Sequence, residues 1–261
     1  MEIHLLGPIS LESNGVSVGI GANKVRALLA TLALEAGMAI SHGELVDELW
    51  SGNPLEHTLN ALQVTVTRLR KVLDAEAGGP GGSSPLKAVR NGYLLEVAPE
   101  CIDGNRFLDL AAAGSAALRE RPEHAVHVLE ASLAFWKGPA LLDAGDGLRC
   151  RGAAALFEER RFVVQEELAG ARLAASRESQ AIPELQRLVA QYPMRERFSE
   201  LLMLALYRTG RQGEALELFR AVGRQLEERL GVSPGHGLRA CHARILAQDP
   251  ALCGPSAVLR R

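Results

Sequence analysis

Between His57 and Leu73 the apolar residues Leu59, Leu62, Val66, Leu69 and Leu73 recur at intervals of 3, 4, 3 and 4. Side chains at that spacing share one side only on an α-helix, so a helix is expected from Pro54 to about Glu76 with this stripe buried. The opposite side carries Asn60, Val64, Thr67, Arg68 and Lys71, with Gln63 lateral and Arg70 nearer the buried flank. No acid occurs from His57 to Leu73, although residues 1–97 together hold ten acidic and seven basic side chains. A donor-rich face without carboxylates can lie against a polyanion, and it can equally be a solvated face; the pattern is compatible with both.

The flanking segments narrow the choice. Residues 3–13 and 16–20 alternate around Asn14-Gly15, which predicts a β-hairpin closed by a tight turn. Val25, Leu28, Leu29, Leu32, Ala33 and Ala36 mark an amphipathic helix with Gly37 at its C-terminal cap. Ser41, with Glu44 three residues on, predicts the start of a second helix that presents Leu45, Val46 and Leu49 and stops at Ser51-Gly52-Asn53-Pro54. After a loop over residues 78–84, residues 86–90 and 93–97 flank Asn91-Gly92, expected as a type I′ turn with positive φ at both positions.

An α-helix fits the major groove of duplex DNA, so the long helix, the shorter helix and turn before it, and the hairpin after it read as a helix-turn-helix with a wing. In that arrangement Arg68 suits two hydrogen bonds to a guanine and Asn60 an adenine edge, while Thr67, Lys71 and Arg90 suit phosphates. Gln63, Val64 and Arg70 complete the candidate helix surface; for Arg70 a structural ion pair is an equal reading. Asn91 stands at the wing tip, and Lys24, Arg26 and Lys87 are flanking cations.

Beyond Asp103 the strand patterns end and helical segments rich in Ala, Leu, Glu and Arg follow, broken at Pro122, Gly138-Pro139, Pro193, Gly210, Gly231 and Pro234. Ala181-Ile182 with Leu185 and Ala215-Leu216 with Phe219 lie 34 residues apart, the length of a tetratricopeptide unit. Two or three such helix pairs are expected to stack into a short solenoid that offers partners a surface. The fold class expected is mainly α with small β.

With 47% hydrophobic and 23% charged residues, the 261-residue chain has an ordinary globular composition and room for two domains. A net charge of −2 excludes indiscriminate attraction to polyanions, so a nucleic-acid site must be local. The four cysteines form no C-x-x-C and are expected to be reduced thiols. Residues 19–24 lack the spacing of a phosphate loop. His124 and His127 stand one helical turn apart without a second cluster to complete a metal shell, and Glu158-Glu159 and Glu166-Glu167, near Arg160 and Arg161, fit a salt-linked helix face. Neither catalysis nor a cofactor or metal is expected. The N-terminus lacks a signal-peptide pattern and no apolar run is long enough to span a membrane, so a cytoplasmic, nucleoid-associated protein is expected.

The residues also carry a resemblance. Lys24, Arg26-Ala27-Leu28-Leu29-Ala30, Leu45 with Leu49-Trp50, Leu62-Gln63, the run from Val66 to Leu73, and Gly92-Tyr93-Leu94-Leu95 resemble the winged-helix domain of OmpR-type regulators. Trp136-Lys137-Gly138-Pro139-Ala140-Leu141, Tyr192-Pro193-Met194-Arg195-Glu196-Arg197, the run from Leu204 to Leu216 and Leu230-Gly231-Val232-Ser233-Pro234-Gly235 resemble the bacterial transcriptional activator domain. In this order they are similar to the Streptomyces antibiotic regulatory protein family. The resemblance implies a DNA-binding domain over residues 1–98, a helical activator domain over 99–250 and a tail over 251–261. It implies an activator of a secondary-metabolite gene cluster that binds direct repeats in double-stranded promoter DNA near the −35 element, recruits RNA polymerase with its sigma factor, and is a homodimer at least on DNA. No receiver domain is expected before the winged helix, hence no aspartyl-phosphate switch; and because the strand-rich part carries the cationic helix and wing, a fragment of residues 1–97 is expected to keep DNA contact, though more weakly.

Two other readings stay open on the residues alone. One is a helical-repeat adaptor whose winged helix makes protein contacts, for which the acidic total of residues 1–97 speaks. The other is a sensor that binds a small effector.

Overall fold

The computed structural model describes residues 1–50, 58–76 and 84–254. The helix stop expected at 51–54, the helix start expected at Pro54 and most of the loop expected over 78–84 lie outside the described residues. The strands are β1 (Glu2–His4), β2 (Ser10–Ser13), β3 (Val16–Val18), β4 (Ile40–Ser41), β5 (Leu86–Val89) and β6 (Gly92–Leu95). The first three helices are α1 (Asn23–Leu34), α2 (His42–Trp50) and α3 (Thr58–Glu76). After β6 come α4 (Asp103–Ala117), α5 (Pro122–Leu133), α6 (Leu148–Ala174), α7 (Glu178–Gln191), α8 (Glu196–Arg208), α9 (Gln212–Leu230) and α10 (His236–Leu246). The chain divides into two compact units, Met1–Leu110 with Ser132–Arg161 and Ala111–Ala131 with Phe162–Arg261.

The first unit holds two three-stranded antiparallel sheets, ordered β1-β2-β3 and β4-β6-β5. The single hairpin expected over residues 3–20 is a meander instead, because β1 ends at His4 and the chain bends over residues 6–8 before it returns to pair Ile3 with Leu11. The turn from β2 to β3 is as expected: Asn14 and Gly15 have φ of 49° and 79°, the left-handed pair that a type I′ turn requires. The start of α2 also follows its sequence signal. Ser41 donates its N–H (3.0 Å) and hydroxyl (2.7 Å) to the Glu44 carboxylate, and the Glu44 N–H returns a bond to Ser41 Oγ at 3.3 Å. Gly37 adopts φ 79° and donates its N–H to the Leu95 carbonyl at 2.8 Å, tying the end of the α1 segment to β6.

α1 and α2 both pack on α3, and the shared core includes Leu28, Leu29, Leu45, Leu62, Leu69 and Leu73, each completely buried or nearly so. Leu59 departs from the expected stripe. It is 56% exposed, in the first turn of α3, where nothing among the described residues covers it, so the buried stripe begins at Leu62.

The first unit also reaches past residue 98. Asp103, 3% exposed, accepts the N–H groups of Leu5 (2.7 Å) and Leu6 (3.3 Å). The Leu5 and Leu6 carbonyls accept from the N–H groups of Leu141 and Lys137 at 2.8 Å each, and the Ile9 N–H donates to Asp143 at 2.7 Å. In a fragment ending at residue 97 these groups would exchange their protein partners for water, at about 0.5–1.5 kcal/mol for each bond. The compact unit that holds the winged helix therefore also includes residues 132–161.

In the second unit α7 packs on α8, and α8 on both α9 and α10. Ala181 and Ala215, 34 residues apart in sequence, are both fully buried, and their helices begin at Glu178 and Gln212, so the repeat is visible in the fold. Residues 250–254 depart from the expected tail. Pro250–Cys253 form a short 3-10 turn with Leu252 1% exposed, and Arg208 donates to the carbonyls of Leu252 (2.8 Å) and Gly254 (2.6 Å). Residues 255–261 lie outside the described residues.

The anchor of β1 responds to pH. The His4 ring lies 3.4 Å from Asp103 and 3.3 Å from Glu12. The bond to Asp103 holds its pKa above the ordinary 6.5, against the opposing pull of burial and of Lys137. The folded protein thus binds this proton more tightly than the unfolded chain, a stabilisation complete below about pH 6.5 and lost as pH rises through the folded value. The thermal midpoint of the protein should exceed that of His4→Gln by more at about pH 5.5 than at about pH 8.5. A gap that is constant with pH would show that the proton is not bound preferentially in the fold.

Candidate nucleic-acid interface

Asn60, Gln63, Val64, Thr67, Arg68 and Lys71 are all exposed on α3, opposite the buried Leu62, Val66, Leu69 and Leu73. Intervals of three and four place them in one row along the helix. The row combines two carboxamides, a hydroxyl, two cations and the methyl groups of Val64, which is 51% exposed. Thr67 donates its hydroxyl proton to the Gln63 carbonyl at 2.8 Å, so in this rotamer it offers a partner its lone pairs and its methyl group rather than a donor. Arg70 does not belong to the row. It is half-buried and its Nη2 donates to the Leu86 carbonyl at 3.3 Å, fastening α3 to β5.

The wing is the β5–β6 hairpin with β4 along its other edge, in the register Val89↔Gly92 and Ser41↔Gly92. Its turn consists of Arg90 and Asn91, both exposed. The Asn91 carbonyl accepts the His42 N–H at 2.9 Å, and the His42 and Tyr93 rings lie 5.2 Å apart, which fixes the wing to the start of α2. Here the type I′ expectation is corrected, for neither Asn91 nor Gly92 has a positive φ. The glycine serves close approach instead. A Cβ at Gly92 would lie 2.0 Å from the Ile40 carbonyl oxygen, so only a residue without a side chain lets β4 pair there.

The flanking cations are engaged within the protein. Lys24 Nζ donates to the Leu49 carbonyl and sits 5.7 Å from the Trp50 ring centre. Arg26 pairs with Asp143 at 2.8 Å and donates to the Ile20 carbonyl at 2.7 Å and to Asn23. Lys87 lies 3.6 Å from Glu96. The structure therefore gathers six of the expected residues into the α3 row and sets Arg90 and Asn91 on the wing. Lys24, Arg26, Arg70 and Lys87 hold the frame.

Residues that support the site without a visible sequence signal include Glu48 and Arg149. Glu48 is 7% exposed at the end of α2 and accepts the N–H groups of Arg149 (2.9 Å) and Cys150 (2.8 Å), so it caps α6 from about 100 residues away. Arg149 reaches Glu35 at 3.2 Å and also Glu44. The Glu44 carboxyl is held below its ordinary range, first by the Ser41 hydroxyl and N–H and then by Arg149. Cys150, buried 3.6 Å from the Thr31 hydroxyl, has its thiol pushed up to about 12 by burial, which makes it a packing group rather than a nucleophile. Among the described residues no group of three His, Cys, Asp or Glu side chains could hold a metal ion.

Residues 20–95 match the family "Transcriptional regulatory protein, C terminal", and residues 102–246 match the "Bacterial transcriptional activator domain". The chain is 54% identical to the transcriptional regulator RedD of Streptomyces coelicolor, over 100% of this chain and 74% of RedD. It is 35% identical to the regulatory protein DnrI of Streptomyces peucetius, over 97% of this chain and 94% of DnrI. The solved structure of Mycobacterium tuberculosis EmbR in complex with a low affinity phosphopeptide superposes with a TM-score of 0.91 at 32% identity, over 98% of this chain and 67% of that one.

The crowding at Gly92 yields a direct expectation. Gly92→Ala should destabilise the chain by about 1–3 kcal/mol, the usual cost of forcing an extra methyl into a filled site, as measured by denaturant unfolding. An unchanged midpoint would show that β4 moves aside freely.

Proposed function

The chain belongs to the Streptomyces antibiotic regulatory protein family of transcriptional regulators, and on that premise we propose that it activates a secondary-metabolite gene cluster by reading direct repeats in promoter DNA through α3. The observation that carries the reading is the exposed, carboxylate-free row on α3 in a chain of net charge −2. The sign of that row differs from the sign of the whole, which localises phosphate attraction to one helix.

In this reading α3 enters the major groove. Arg68 donates to a guanine edge, Asn60 or Gln63 pairs with an adenine, Val64 meets a thymine methyl, and Lys71 neutralises a phosphate. Arg90 and Asn91 bring the wing to the backbone beside it. Arg26, Arg70, Lys24 and Lys87 are left out of the contact set because each already meets a carbonyl or carboxylate within the fold. Two copies on adjacent repeats would bind as a homodimer, and tethering raises the effective concentration of the second copy. Binding near the −35 element sets the helical repeats, a surface suited to protein partners, beside RNA polymerase and its sigma factor. The protein then works in the cytoplasm on the nucleoid; among the described residues no helix is long and apolar enough to cross a membrane.

Quantitative binding to the promoter of the adjacent gene cluster tests this. Arg68→Ala should cost about 1–3 kcal/mol and relax preference at one position of the repeat. Lys71→Ala should weaken all sequences alike and lower the slope of log affinity against log salt by about one. If both variants bind promoter and random duplexes as the parent does, α3 is not the reading helix and the adaptor reading takes its place.

A further inference from the structure

The helices that carry the α3 row are held from one side by the first turn of α6. Arg149 in that turn touches three carboxylates on two helices. Its backbone N–H donates to Glu48 in the last turn of α2, its Nη1 lies 3.2 Å from Glu35 at the C-terminal cap of α1, and its Nη2 donates to Glu44 in the first turn of α2. A single residue thus ties the end of α1 to both ends of α2, and α1 and α2 are the helices packed on α3. The fit is close: a Cβ at Gly147 would lie 2.6 Å from the backbone carbonyl oxygen of Glu48, so glycine is needed for the chain to pass here.

From this geometry we propose that Arg149 is a positioning residue for DNA recognition, setting the angle between α1 and α2 and with it the pose of α3. The proposal rests on the reading of α3 given above. The Arg149 side chain is 36% exposed, so each ion pair adds little to global stability. Its planar fork, however, fixes direction as well as distance, which a lysine ammonium cannot do. Arg149 is not itself a phosphate contact. Glu35, Glu44 and Glu48 surround it with negative charge that repels a DNA backbone, and its donors already face them.

The test compares the full chain with Arg149→Met, Arg149→Lys and Glu44→Gln. Glu44→Gln keeps a side chain able to complete the Ser41 capping box while removing the charge that Arg149 meets. Affinities are measured for the promoter duplex and for a random duplex over a range of salt. Arg149→Met should weaken promoter binding about three- to tenfold while random-duplex affinity and the salt slope stay unchanged, and Arg149→Lys should not restore it. Glu44→Gln should weaken promoter binding less, and the double variant no more than Arg149→Met alone, since both losses act through one contact. Amide exchange of Leu45 to Leu49 in the DNA-free protein should quicken in Arg149→Met, a readout that holds even if the proposed promoter is the wrong DNA.

Parallel loss on both duplexes with a slope lowered by about one would make Arg149 a phosphate contact and overturn the proposal. So would additive losses in the double variant, or an Arg149→Met protein that keeps both promoter affinity and amide protection. Failure of the parent to prefer the promoter duplex to the random one counts against the DNA reading instead, and the exchange data then decide whether the clamp exists.

Discussion

A buried carboxylate is tolerable only where donors meet it, and two such groups organise this protein. Asp103 sits 3% exposed against the N–H groups of Leu5 and Leu6, and Glu48 sits 7% exposed against those of Arg149 and Cys150. Each acid joins segments about 100 residues apart in the chain. Together they bind the N-terminal strand and the start of α6 into the unit that carries α3. Helix α3 therefore rests on a frame larger than the winged helix alone, and side chains beyond residue 98 belong to that frame.

The same economy governs the cations. Arg26, Arg70, Lys24 and Lys87 would each look like part of a basic patch if charge alone were counted, yet each side chain has a carbonyl or carboxylate partner inside the first unit. What remains facing outward is narrower and more specific. Six side chains lie in a row on one helix, with Arg90 and Asn91 on the wing turn. A row that mixes amide, guanidinium, ammonium and methyl groups suits the varied edges of base pairs better than the uniform charge of a phosphate backbone.

Signals in the sequence carry through to the structure where their cause is local. The Ser41–Glu44 capping box, the left-handed Asn14-Gly15 turn and the buried run from Leu62 to Leu73 all follow from spacing and residue type within one or two turns. The exposed row on α3 was legible for the same reason, since a helix sorts its residues by periodicity. Non-local causes were not legible. Gly92 has the setting of a turn glycine, but it is there because Ser41 of β4, 51 residues earlier, pairs with its backbone. Leu59 fits the periodic stripe, but periodicity cannot tell where the neighbouring helices end. Glu48, Asp103 and Arg149 are ordinary charged residues in sequence, and only their distant partners give them meaning.

The central claim is that α3 reads base edges in the major groove, and methylation of guanine N7 by dimethyl sulfate in the bound promoter tests it most directly, because that atom lies on the groove floor which Arg68 would occupy. Guanines within each repeat should be protected when the duplex is saturated with the protein, while guanines outside the repeats react as in free DNA. A fully bound duplex whose guanine N7 atoms all react as in free DNA would contradict major-groove reading by α3.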